Sequence, residues 1–122
     1  GKKTSSDWQE GLLQIFEAVY ENKAFIMNAY NSLSREQIEN FLFRLTHDLI
    51  MGVVEERSVG TSITEAQKNF IADFYKYSFV GILLDWIHQG MKADYTSICT
   101  DMCTTLHGNI SNSIKNFTNS TE

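Results

Sequence analysis

Residues 70–90, FIADFYKYSFVGILLDWIHQG, constrain the fold more than any other stretch of the chain. From Phe74 to Ile87 only Lys76 and Asp85 are charged, and apolar side chains recur at helical spacing on every side of the rod. A helix that is apolar all round must be covered on more than one flank. A chain of 122 residues can cover one flank from within, so the other is expected to meet a second copy of the protein. Tyr77, Ser78 and Asp85 break the run, which falls short of the about 20 nearly continuous apolar residues of a membrane span. The stretch reads as an interface helix.

The chain has no proline, so nothing interrupts long helices by removing a donor and clashing with the preceding turn. Trp8, Leu12, Ile15, Phe16, Val19 and Tyr20 recur at helical spacing behind a capping box at Ser6 or Asp7, which predicts a helix over 7–21. Residues 23–32 suit a short second helix. Ser34 with Gln37 offers another box, and Ile38, Phe41, Leu42, Leu45, Leu49 and Val53 behind it predict a helix over 35–57. Ser62 with Glu65 is a third box, from which the long helix runs to about 89, with Gly90 as its left-handed cap. Asp94 caps a last one-faced helix carrying Tyr95, Ile98, Cys99, Met102, Cys103 and Leu106 and ending near Gly108. Residues 1–6 are expected to fray, 7–108 form one domain, and 109–122 form a polar tail in which Ile110, Ile114 and Phe117 allow a short helix. The fold expected is all-α, a bundle of five or six helices.

A net charge of −5 with scattered basic residues offers no surface for nucleic acid phosphates. Two cysteines four residues apart do not make a disulfide framework, and a reducing cytoplasm is the default compartment. Asn109, Asn116 and Asn119 open glycosylation triplets, which an Asn/Ser/Thr-rich tail makes by chance. The chain begins with Gly1 and not Met, as expected of a piece of something longer.

Cys99, Cys103 and His107 stand at i, i+4 and i+8, on one side of a helix, but a structural zinc site needs four ligands. In an apolar stripe, cysteine behaves as a small hydrophobe, so packing is the expected role and no metal or cofactor is assigned. His47 and His88 lack any partnered nucleophile, and each reads as a hydrogen-bonded surface histidine. No Ser-His-Asp order, Gly-rich phosphate loop, HExxH or paired-carboxylate pattern can be picked out, so the chain is not read as an enzyme. Gly81 costs about 1 kcal/mol inside a helix unless close packing offsets it, which predicts a tight crossing at a dimer seam or under the first helices.

The element order resembles the C-terminal regulatory domain of TetR-type transcriptional regulators. Phe74, Tyr75, Gly81, Trp86, Gly90 and Met91 match the aromatic "FY…G…W…GM" segment of one branch, and Tyr20, Asn22 and Phe25 its "Y-x-N-x-x-F" junction. The resemblance covers most of residues 12–108. It implies a bacterial, cytoplasmic homodimer that pairs the last two helices of each subunit in a four-helix bundle. A small apolar or aromatic effector would sit within the helices, and DNA would be met only through an N-terminal helix-turn-helix missing here. The seam residues expected are Phe79, Leu83, Trp86, Ile87, Ile98, Met102 and Leu106. Those expected for the pocket are Phe16, Tyr20, Phe41, Leu45, Phe74 and Tyr77. The alternative is a stand-alone helical interaction or co-activator module in which the aromatics are only core.

Overall fold

With proline absent and apolar residues spaced by three and four, helices satisfy the backbone internally while each buries a stripe. The computed structural model describes residues 5–119, and these form six α-helices and no strand. They are α1 (Ser5–Glu21), α2 (Lys23–Tyr30), α3 (Arg35–Arg57), α4 (Glu65–His88), α5 (Tyr95–Thr105) and α6 (Asn109–Thr118). The all-α bundle expected from the sequence is the fold observed. Residues 1–4, most of the segment expected to fray, lie outside the described residues.

The helix ends correct two expected caps. Thr64, extended at φ −84° and ψ 162°, accepts from the Gln67 N–H at 3.1 Å, while Gln67 Oε1 accepts from the Thr64 N–H at 3.0 Å. The box that starts α4 is therefore Thr64 with Gln67, not Ser62 with Glu65. Ser34 makes no side-chain cap because its backbone, at φ −87° and ψ 3°, lacks the extended geometry that aims a cap hydroxyl at the first turn. At the other end of α4, Gly90 takes φ 84°, its N–H reaches Ile87 O at 2.9 Å, and the Met91 N–H reaches Trp86 O at 2.9 Å. These paired bonds form a Schellman stop, which requires the left-handed glycine expected there.

Helices α3 and α4 form an antiparallel hairpin, with Lys68 against Glu55, Asp73 against His47 and Tyr77 against Phe43. Leu42, Thr46, Ile50 and Val54 of α3 are buried, as are Ile71, Ala72, Phe79, Val80, Leu83 and Ile87 of α4. Helix α1 crosses α3 at Gly11, where an added Cβ would lie 2.6 Å from Leu49 Cδ1. The tight crossing of the fold is thus made by Gly11.

The end of the bundle where α1, α4 and α5 meet is an aromatic cluster. Phe16 lies 5.1 Å from Trp86 and 6.5 Å from Tyr95, and Tyr20 lies 5.5 Å from Tyr95. The Trp86 indole N–H donates to Ala93 O at 2.9 Å, so the buried ring keeps its one donor satisfied. Burial of this kind contributes roughly 1.5–3 kcal/mol per large apolar side chain.

Residues 109–118, expected as a polar tail, pack as α6 on α3 and α4. Ile110 and Ile114 are buried, Arg57 Nη1 donates to Ser111 Oγ at 3.2 Å, and Tyr75 Oη lies 3.0 Å from Ser113 Oγ. Sequence spacing detected the stripe. The docking surface comes from α3 and α4, which are remote in the chain.

Candidate functional site

The long helix is not apolar on every side for the same reason. Its inner face fills the subunit, while Phe70, Phe74, Tyr77 and Ile82 lie on an outer face that is open to solvent, at 62%, 61%, 62% and 41% exposure. Steps of three and four residues also place Ser78 and Gly81 on that face, and a Cβ at Gly81 would meet nothing within 4 Å. The expected packing of Gly81 under the first helices is therefore not made, and the glycine interrupts a bulky row on the outside of the subunit.

Because α4 packs chiefly on α3 and α5 packs on α1, a groove of about 450 Å³ is left between α4 and α5. Ser78, Ile82, Ile98 and Leu106 line it, with Asp101 and Thr105 on its rim. Of the residues expected at a dimer seam, Ile98 and Leu106 retain exposed surface here. Phe79 and Met102, 1% and 5% exposed, also line this groove, while Leu83, Trp86 and Ile87, at most 3% exposed, lie in the subunit's own core. Ile82 is the residue that sequence reasoning passed over, although it stands four after Ser78 on the same face.

The six residues expected around a pocket do not converge. Phe16 is fully enclosed against Trp86 and Tyr95. Tyr20 joins the same cluster from its edge, 45% exposed. Phe41 and Leu45 stand half-exposed on α3, with Arg44 6.0 Å over the Phe41 ring. Phe74 and Tyr77 lie on the outer face of α4, and Phe74 shares a shallow cleft with Phe70, Tyr75 and Phe117. Helical spacing could not foresee this, because it ranks residues by face without telling which face a neighbour covers.

The histidines and cysteines are placed as packing and surface groups. His47 lies 3.6 Å from both Asp48 and Asp73, and Asp73 also pairs with Lys76 at 3.0 Å. His88 meets Tyr30 edge-on at 6.2 Å. Burial pushes the Cys99 thiol up to about 12 and raises that of Cys103, so neither is poised as a thiolate nucleophile or ligand. Among the described residues no group of three or more His, Cys, Asp or Glu side chains is arranged to hold a metal, and no helix is long and apolar enough to cross a membrane.

Comparison with curated proteins and with solved structures gave no match. The profile of a family described as the C-terminal region of transcriptional regulators of the TetR type matches residues 6–108, from the start of α1 to the glycine before α6. That region spans the aromatic cluster, the α3–α4 hairpin and the α4–α5 groove, and the chain belongs to this family of TetR-type transcriptional regulators, as their C-terminal domain.

Proposed function

We propose that this domain dimerises a transcriptional regulator through α4 and α5 and relays an effector signal to DNA-binding segments that the family carries ahead of it. The observation that carries the reading is the outer face of α4. Three large aromatics, Ile82 and a gap at Ser78 and Gly81 form a continuous apolar row beside the α4–α5 groove. A row of this size on a subunit surface marks an interaction site. A second copy is the occupant that fits best, because a twofold axis crossing α4 at Gly81 would let two long helices approach closely and set Ile82 of each copy against the other's groove. Helix pairs packed at such a seam are bistable, so an effector that favours one arrangement would change the separation of two DNA readers.

The test is sedimentation at micromolar concentration. The expected result is a dimer of about twice 14.0 kDa that Ile82→Glu converts to a folded monomer. A wild-type monomer with intact helicity would refute the seam and favour an interaction module that uses the same face for a different protein.

A further inference from the structure

A second cavity lies at the opposite end of the bundle from the aromatic cluster, where the start of α1 meets the end of α3 and the α5–α6 junction. It holds about 520 Å³, within the roughly 300–1,000 Å³ typical of small-molecule sites. Its apolar side is Trp8 and Ile114, both buried, and its polar side is Arg57, His107, Ser111 and Lys115. None of the described residues lining it is acidic, although acidic residues outnumber basic ones in the chain by 15 to 10. Three cationic or protonatable side chains therefore converge on one wall of an otherwise acidic protein.

Arg57 is the informative member. Its Nη1 donates to Ser111 Oγ at 3.2 Å, whereas its Nη2 is buried without a hydrogen-bond partner among the described residues. A buried donor on a charged group is costly to leave unmatched, and an anion that displaced Ser111 Oγ from Nη1 would meet a guanidinium fork shaped for two parallel bonds to a carboxylate or phosphate. None of Arg57, His107 and Lys115 takes part in the ion pairs of the described residues, which engage His47, Lys68 and Lys76 instead. Helix α6 begins after the left-handed Gly108, and Ser111, Ile114, Lys115 and Thr118, spaced by three and four, line the cavity along one flank of it.

We infer that this cavity binds a small amphipathic anion, its carboxylate or phosphate held by Arg57, with Lys115 and His107 at the rim and its apolar body against Trp8 and Ile114. The inference deepens the effector half of the reading above and does not depend on the seam. It also gives α6 a role, since Ser111, Ile114 and Lys115 lie beyond the residues the family profile matches. The site joins the start of α1, the end of α3, the α5–α6 turn and α6, so occupancy would fix the start of α1 against the rest of the bundle.

The test is an NMR titration of the whole chain with octanoate, octyl phosphate, octanamide and inorganic phosphate, following the Trp8 indole N–H and the amides of residues 109–115. The expected result is saturable shifts at those positions with octanoate or octyl phosphate, at least tenfold tighter than with octanamide. The better of the two anions identifies the headgroup. Arg57→Gln should weaken that binding at least tenfold, and the exposed pair Lys115→Gln with His107→Gln severalfold; the pair carries the test if the Arg57 variant does not fold. Equal binding of octanamide and octanoate, or of inorganic and octyl phosphate, would overturn the amphipathic-anion assignment. Binding that maps elsewhere or survives these substitutions would overturn the site while leaving effector sensing intact, and the absence of any saturable shift would overturn the site outright.

Discussion

Gly81→Leu should push the fold and the assembly in opposite directions. In an isolated subunit the position is open, with nothing within 4 Å of an added Cβ, and leucine is favoured over glycine in a helix interior by nearly 1 kcal/mol. In a domain of this size that gain corresponds to about 4 °C in Tm. At a twofold seam the same residue appears on both subunits, and overpacking a close crossing costs about 1–3 kcal/mol per site. Two sites give at least about 2 kcal/mol, or about thirtyfold in the dimer Kd. Gly52→Ala is the control, because it too sits in a helix interior with nothing near its Cβ. It should raise stability and leave Kd unchanged. Sedimentation velocity over a dilution series gives Kd, and denaturation in the dilute, dissociated regime gives subunit stability without the contribution of association. A Gly81→Leu protein with the wild-type Kd would refute the argument that α4 approaches its partner at this glycine.

Two further expectations follow from the helix caps and the core. Thr64→Ala should destabilise the fold by about 1 kcal/mol while Ser62→Ala leaves it unchanged, because only Thr64 holds the α4 box; urea denaturation checks both. Cys99 has its thiol raised from the ordinary 9.0 to about 12, first by burial and then by Cys103, so the folded chain holds the proton more tightly than the unfolded chain. That contribution is complete below pH 9 and is lost as pH rises from 9 toward 12. Cys99 should resist iodoacetamide at pH 8 in the folded state, as read by mass spectrometry. Wild-type stability should fall relative to Cys99→Ala above pH 9 and not below it.

Local chemistry carried much of this fold into view. The absence of proline, the stripe from Ile38 to Val53 and the glycine at position 90 determined the class, the bounds of α3 and the Schellman stop of α4, because each depends on neighbours within one or two turns. Even locally there were limits. Ser62 and Thr64 have equally plausible partners three residues on, and only the backbone angles at Thr64 decided which hydroxyl caps the helix.

The sites needed the tertiary structure. The row from Phe70 to Ile82 contains the information that α4 is amphiphilic in use, but a helix apolar all round does not say which side its own subunit will cover. The packing of α4 on α3, with the rings of Trp8 and Phe16 of α1 against Phe79 and Trp86, made that choice, enclosing Phe79, Leu83, Trp86 and Ile87 and leaving Phe74, Tyr77, Gly81 and Ile82 outside. The cationic cavity was still further from view, because Trp8, Arg57 and Lys115 share no local spacing. Sequence by itself determined where helices form and which residues are apolar, since both are set by short-range geometry. Which apolar faces stay exposed, and which charges meet, was decided only when helices distant in the chain competed for the same buried area.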